Sequence, residues 1–124
     1  MTSGGDAMGT EEYSILTEQE GMVLRDEHFQ TVAFLAKSLS DENRLRILLS
    51  VSNGKKSVSS IVEELGLSQP LVSHHLKELK RSLLVKIERN GPFIYYELVD
   101  ARILDVLRTL STVATDLITA RKTF

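Results

Sequence analysis

The sequence predicts a mainly α-helical fold (class α+β) with one small β-hairpin, and three observations predict it. Two short helical patterns meet at a glycine within residues 57–83. Two runs of alternating apolar residues follow, with Asn90-Gly91 between them, which is a strong hairpin signal. Apolar residues also recur at helical spacing on both sides of this region, over residues 26–39 and 100–121. Helix, turn, helix and hairpin in this order predict a winged helix-turn-helix.

The chain is long enough for one such domain. Its 124 residues are 42% hydrophobic and include no cysteine, which excludes disulfides and thiolate chemistry. No apolar run approaches the length of a membrane span, and no secretory signal pattern stands at the start. We therefore expect a cytoplasmic protein that does not contact a membrane. We predict an acidic, partly disordered segment at residues 1–25 and a single domain at residues 26–124.

The first predicted helix runs from Asp26 to Leu39. It is apolar nearly all the way round, with Phe29, Val32 and Leu35 among its apolar residues. A surface helix needs only one apolar stripe, so we predict that its second face packs against a partner subunit.

The second predicted helix runs to about Val51. Either Ser40 or Asp41 can cap it, because both side chains accept hydrogen bonds from free N–H groups. Three of its residues are predicted to face inward: Leu45, Leu48 and Leu49.

Two short helices joined by a tight turn come next. Ser57 is predicted to cap the first, Val58–Leu65, and Gly66 to end it in the left-handed conformation. Ser68 is predicted to cap the second, which has a proline in its first turn. The apolar stripe of this second helix consists of Val72, Leu76, Leu79 and Leu83. Its opposite face, polar near the start and cationic further on, consists of Gln69, Ser73, His74, Lys77, Lys80 and Arg81.

The predicted hairpin follows this helix directly. Its alternating apolar residues are Val85, Ile87, Ile94, Tyr96 and Leu98. Because Pro92 cannot donate a hydrogen bond to a strand ladder, we predict a loop longer than two residues. Arg89 and Asn90 are predicted to lie at or near the tip, where they can reach a phosphate or a minor groove.

The charge distribution favours DNA as the partner of these two elements. Residues 1–30 hold seven acidic side chains and one arginine, so the rest of the chain is net positive although the whole chain carries −2. Between Ser68 and Tyr96 there are five basic and two acidic residues. The candidate DNA-binding residues are Ser57, Ser68, Gln69, Pro70, Ser73, His74, Lys77, Lys80, Arg89 and Asn90.

The last predicted helix starts near Asp100, which can cap it, and runs to about Arg121. Ile103, Leu107, Leu110, Ala114 and Leu117 recur at four- and three-residue steps, as in a coiled-coil seam. Further apolar residues widen this surface, so one face is predicted to pack on its own domain and another on a second copy of the chain. The predicted homodimer interface consists of Phe29, Val32, Leu35, Leu107, Leu110, Ala114 and Leu117.

The stretch from residue 39 to residue 98 resembles the bacterial ArsR/SmtB-type repressors. Three pieces carry the resemblance: residues 39–48 (LSDENRLRIL), 66–79 (GLSQPLVSHHLKEL) and 91–98 (GPFIYYEL), the second being the most specific. The resemblance implies a homodimeric transcriptional regulator that binds double-stranded DNA at an inverted-repeat operator. It usually implies a repressor released by an inducer, which here is a small molecule, a peptide or a partner protein.

The resemblance also raises two kinds of metal site. One uses a Cys-x-Cys pair at the start of the first short helix, where this chain has serine at both positions, the first being Ser57. A neutral hydroxyl is a poor ligand for soft metals. The other uses Asp-x-His and His-x-x-Glu on the last helices of two subunits, where this chain has Asp100-x-Arg102 and Val113-x-x-Asp116. Both imidazoles are missing and Arg102 adds a positive charge, so we expect neither metal site and no cofactor.

Other function classes have less support. No cysteine nucleophile, phosphate-binding glycine loop or paired-carboxylate motif is present, so we predict no enzyme activity. His28 is predicted to lie at the surface or at an interface. The main alternative is a winged helix that contacts another protein without reading DNA, an interpretation that the acidic start of the chain and the pI of about 5.9 favour weakly.

Overall fold

The computed structural model describes residues 25–122, and the helix, turn, helix and hairpin in it confirm the predicted winged helix-turn-helix. The acidic segment predicted at residues 1–25 lies, apart from Arg25, outside the described residues. The elements are α1 (Asp26–Ser38), α2 (Glu42–Ser52), α3 (Val58–Leu65), α4 (Gln69–Arg81), β1 (Val85–Asn90), β2 (Phe93–Leu98) and α5 (Arg102–Lys122). The described elements fall into two units, with α1 in the first, which ends at Ser38, and the other elements in the second, which begins at Leu39. None of the helices within residues 25–122 has both the length and the apolarity needed to cross a membrane.

The predicted helix caps are confirmed. The Asp41 carboxylate accepts from the backbone N–H of Asn43, at 2.8 Å, and thereby starts α2. The hydroxyls of Ser57 and Ser68 accept from the third residue of α3 and of α4, at 3.2 and 3.3 Å. Gly66 ends α3 with a φ of 68°, a conformation that costs glycine nothing. These caps fix where the helix pair begins, turns and ends.

The core of the second unit lies beneath α4. Eight apolar side chains of the described chain are essentially inaccessible: Ile47, Leu48, Val51, Ile61, Val72, Leu76, Leu79 and Val85. They come from α2, α3, α4 and β1, and α4 packs against each of the other three elements. The core therefore holds α4 from one side and leaves the other side open.

One inward prediction in α2 is wrong. Leu48 is buried and Leu45 is half-buried, as predicted, but Leu49 is 48% exposed. One buried arc of α2 consists of Ile47, Leu48, Ser50 and Val51. Leu49 lies about 100° beyond Leu48, outside that arc. Ile47 and Val51 take the neighbouring buried positions, and Leu49 instead lines an apolar groove beside α5.

The end of α4 also differs from the prediction. Leu83 was predicted to complete the buried stripe, but it is 75% exposed with a φ of 64°. The helix ends at Arg81, where the N–H groups of Leu83 and Leu84 donate back to Lys80 and Leu79, both at 3.0 Å. This is a Schellman motif, which turns the chain out of the helix and puts Leu84, not Leu83, in the core.

The hairpin is tighter than predicted. Val85 pairs with Leu98 and Asn90 with Phe93, so only Gly91 and Pro92 form the loop. The prediction of a longer loop was wrong because Pro92 lies in the loop itself, where no ladder hydrogen bond is required of it. Gly91 takes a φ of 64°, as the first loop residue of a primed turn requires. The backbone of Lys56 pairs with Tyr96 on the far side of β2, which leaves β1 at the edge of the sheet within the described residues.

Candidate nucleic-acid interface

The outer face of α4 is the surface that the core leaves open. Gln69, His74, Lys77 and Lys80 are exposed there, and Ser73 is half-buried. The Gln69 side-chain amide donates to the Ser73 hydroxyl at 2.8 Å, so these two predicted residues form one polar unit on the first turns of the helix. The structure thus brings the predicted polar residues together on one face, and their contact with DNA stays a prediction.

The remaining helix-pair residues lie at the two helix starts. Ser68 and Pro70 are exposed at the start of α4, and Ser57 is half-buried at the start of α3. Both serine hydroxyls are already engaged as caps. A backbone N–H at a helix start also attracts anions, so these positions suit phosphate better than a base edge.

The wing of the fold is the hairpin formed by β1 and β2, and its tip carries two of the predicted DNA-binding residues. Arg89 and Asn90 are both exposed and stand directly before the Gly91-Pro92 loop, as predicted. Arg89 therefore presents a long cation near the tip of the hairpin.

An ion pair that sequence inspection missed ties the wing to the turn before α3. The Lys55 ammonium lies 2.6 Å from a Glu88 carboxylate oxygen on β1. This bond lowers the pKa of Glu88 and raises the pKa of Lys55. Together with the Lys56–Tyr96 backbone pair, it links the wing to the turn before the helix pair. The partners are 33 residues apart, so no local pattern signals the contact.

A second polar cluster joins α2 to α3. The buried Ser50 hydroxyl donates to the Glu64 carboxylate at 2.8 Å, and the Lys56 ammonium lies 2.5 Å from the same oxygen. The bond from Lys56 lowers the pKa of Glu64. All three groups are satisfied by one another, so the cluster supports the turn rather than offering a ligand site.

His75 is the main residue near the site that sequence inspection did not single out. It is 5% exposed on the inner side of α4, with its Nε2 3.7 Å from Asp41 Oδ1. Its Nδ1 is buried and has no hydrogen-bond partner within the described part of the chain. Burial lowers the pKa of His75, against the opposing influence of the Asp41 carboxylate. Its other charged neighbours are Arg44 on α2 and the His74 and Glu78 side chains on α4.

We expect His75 to make the stability of the fold depend on pH. Its pKa is lower in the folded chain than the ordinary value of 6.5, so the unfolded chain binds more protons near that pH. The free energy of unfolding should fall as the pH drops through 6.5 toward the lowered folded pKa. Urea titrations at several pH values check this, with His75→Gln as the comparison. An equally steep decline in that variant would contradict the assignment.

The Asp100 carboxylate at the start of α5 forms an ion pair with an arginine. Arg102 donates to both oxygens of Asp100, with its Nε 3.1 Å from Oδ1 and its Nη2 2.7 Å from Oδ2. This pairing lowers the pKa of Asp100 to about 2. Asp100 also accepts from the Arg102 backbone N–H and so starts the helix, as predicted. Across residues 25–122 no three acidic or histidine side chains are grouped so that they could hold a metal ion.

Comparison with known proteins shows which proteins this chain is similar to. A family model of bacterial regulatory proteins of the arsR family matches residues 41–86, from the α2 cap to β1. An HTH-type transcriptional regulator of Methanocaldococcus jannaschii is 36% identical over 66% of this chain and 93% of its own length. The chain belongs to the ArsR family. An arsenical resistance operon repressor of Staphylococcus aureus is also similar, at 32% identity over 70% of this chain and 84% of its own.

Solved structures of similar proteins agree with this family membership. NolR from Sinorhizobium fredii aligns with a TM-score of 0.64 and 27% identity, over 74% of this chain and 95% of that one. The ArsR family consists of transcriptional regulators, so the helix pair and the hairpin are the parts of this chain to examine for DNA binding.

Proposed function

We propose that the chain is a sequence-specific DNA-binding repressor that acts in the cytoplasm as a homodimer. The observation that carries the proposal is the division of α4 into two faces. The inner residues Val72, Leu76 and Leu79 are fully buried, while the outer polar face stands free next to the wing. A helix held in this way can place its first turns in a major groove.

The outer face supplies two kinds of contact in the proposed complex. Gln69, Ser73 and His74 carry short polar groups suited to base edges. Lys77, Lys80 and Arg89 carry long cations suited to phosphates on either side of the groove. We therefore assign sequence discrimination to the first set and overall affinity to the second.

The proposed dimer rests on the apolar face of α5. Val106, Leu110, Val113 and Leu117 form one stripe along the helix and are between 47% and 64% exposed, and Ile118, at 55%, widens this apolar surface to one side. Such a stripe is costly to leave in water and fits the self-complementary contact of a two-fold dimer. We propose residues 26–124 as the DNA-binding and dimerisation domain, with Phe29, Val32 and Leu35 of α1 also at the interface.

A two-fold dimer would present two α4 helices to an inverted-repeat operator. Their spacing must match the roughly 34 Å of one DNA turn, so a small rotation between subunits would weaken binding. We propose that an inducer, either a small molecule or a protein, favours the wrongly spaced state. The donor set does not fit the metal sites implied by the family resemblance, because Arg102 holds Asp100 and Ser57 caps α3, so we propose a signal other than those metals.

Gel-shift titrations on a duplex from the region upstream of the protein's own gene test the function. The wild-type protein should bind that duplex more tightly than a scrambled one, and both affinities should fall as salt rises. A protein-only interaction module would bind neither duplex at low salt, and that result would overturn the proposal.

Lys77→Ala should weaken binding to specific and scrambled duplexes alike. Removing one phosphate contact in each subunit should reduce the slope of log affinity against log salt by about one unit per subunit. Arg108→Ala on α5 is a matched control, because Arg108 is an exposed arginine paired with Asp105 and lies outside the proposed interface. Equal slopes for the wild type and Lys77→Ala would show that Lys77 does not touch the backbone.

A further inference from the structure

Leu83 is the one residue other than glycine with a positive φ among residues 25–122. It occupies the position after the α4 cap, where the Schellman motif needs a left-handed residue. Glycine fits this position without strain, whereas a leucine Cβ crowds the backbone. The chain therefore has a leucine at a position where the backbone conformation favours glycine.

The Leu83 side chain is only slightly buried by the rest of its own domain. It is 75% exposed, the highest value among the exposed large apolar residues of the described chain. A residue that is both strained and exposed does not stabilise the domain, and such outliers concentrate at functional sites. A role in contact with another molecule would account for both features.

The surroundings of Leu83 indicate what that molecule is. Leu83 lines a shallow cleft of about 600 Å³ between the end of α4 and the edge strand β1. The cations Lys80, Lys86 and Arg89 line it, together with the apolar residues Val85 and Val99. Among residues 25–122, none of those that line the cleft is acidic. The cationic and apolar side chains that line the cleft thus suit a partner in which anionic groups alternate with apolar surfaces.

We propose that this cleft seats the sugar-phosphate backbone of DNA, with Leu83 packed against a deoxyribose. The inference rests on the proposed function and extends it to residues outside the recognition face. If α4 occupies a major groove and the wing reaches the neighbouring minor groove, the strand that separates the two grooves passes between them. Phosphates on that strand face Lys80, Lys86 and Arg89, and the sugars between them face Leu83.

Two substitutions at this position separate a DNA contact from a structural role. Leu83→Asn removes the apolar side chain but keeps a residue that adopts positive φ readily, so the fold should melt at the wild-type temperature or above. Leu83→Met keeps an apolar side chain of similar size and serves as the matched control. Both are titrated against the upstream duplex and a scrambled duplex over a range of salt.

We expect Leu83→Asn to bind both duplexes about fivefold to tenfold more weakly, because a sugar contact is independent of sequence. The salt slope should stay at the wild-type value, since no cation is removed. Leu83→Met should bind like the wild type. This combination would support the proposal, because a merely structural residue would not lower affinity while leaving the melting temperature intact.

Three results would overturn it. One is wild-type affinity in Leu83→Asn, which would also leave the cleft open to an acidic protein segment instead of DNA. Another is a lower melting temperature or a reduced salt slope in that variant, which would mean that Leu83 acts through the fold or the cations. The third is a wild-type protein that binds no duplex, which removes the proposed function together with this inference and is distinguishable from the first two.

Discussion

The double variant Leu110→Glu/Leu117→Glu is expected to be a folded monomer that binds the operator at least about 100-fold more weakly than the wild type. Each side chain is more than half exposed in the single chain, at 53% and 64%, so the carboxylates should not disturb its own core. In a two-fold interface every substitution appears twice, and two pairs of buried carboxylates would oppose association. A monomer presents only one α4 helix to the DNA. The gain in affinity from binding two half-sites at once, typically about 10²–10⁴-fold, is therefore lost.

A matched control is Thr119→Glu. Thr119 is exposed and lies nine residues from Leu110, which places it half a turn away on the same helix. It should remain a dimer with wild-type affinity. Leu107 and Leu110 both line the groove beside α2, but Leu107 is half-buried whereas Leu110 is 53% exposed, so Leu107 is left unchanged to avoid disturbing the chain itself. A double variant that still sediments as a dimer and binds DNA tightly would exclude this face as the interface.

Gln69→Ala is expected to weaken binding to the specific duplex while leaving binding to a scrambled duplex nearly unchanged. Gln69 is exposed on the first turn of α4, where side chains meet base edges, and its amide is already oriented by Ser73. A good base contact contributes about 1–3 kcal/mol of discrimination, so a loss of about fivefold to 150-fold per half-site is expected. Comparing all single-base variants of the operator should show relaxed preference at one position of each half-site.

Lys77→Ala serves as the contrasting variant for this experiment, because it should weaken both duplexes together. Equal losses on specific and scrambled DNA in Gln69→Ala would assign Gln69 to the backbone and remove it from base reading.

Local chemistry made much of the fold predictable. Ser57, Gly66 and Ser68 act through their own backbone neighbours, so sequence alone located both short helices and the turn between them. The buried stripe of α4 was predictable as far as Leu79 because helical spacing holds until the helix ends. It failed at Leu83 because a capping motif, which has no glycine here, turned the chain first.

Long-range packing explains what the sequence did not reveal about the candidate site. The Lys55–Glu88 pair depends on the turn before α3 meeting β1, which only the folded chain brings about. His75 looks like its exposed neighbour His74 in the sequence, and only the position of α2 decides that it is buried. The polar face of α4, by contrast, was predictable because one periodic helix defines both of its faces.

Sedimentation of the wild-type protein, alone and with the upstream duplex, tests most directly whether the chain binds DNA as a homodimer. We expect a species of twice the 13.9 kDa chain mass at micromolar concentration, and a complex of two chains on one duplex that dissociates as salt rises. A folded monomer that binds the duplex tightly, or a dimer that forms no complex at low salt, would contradict it.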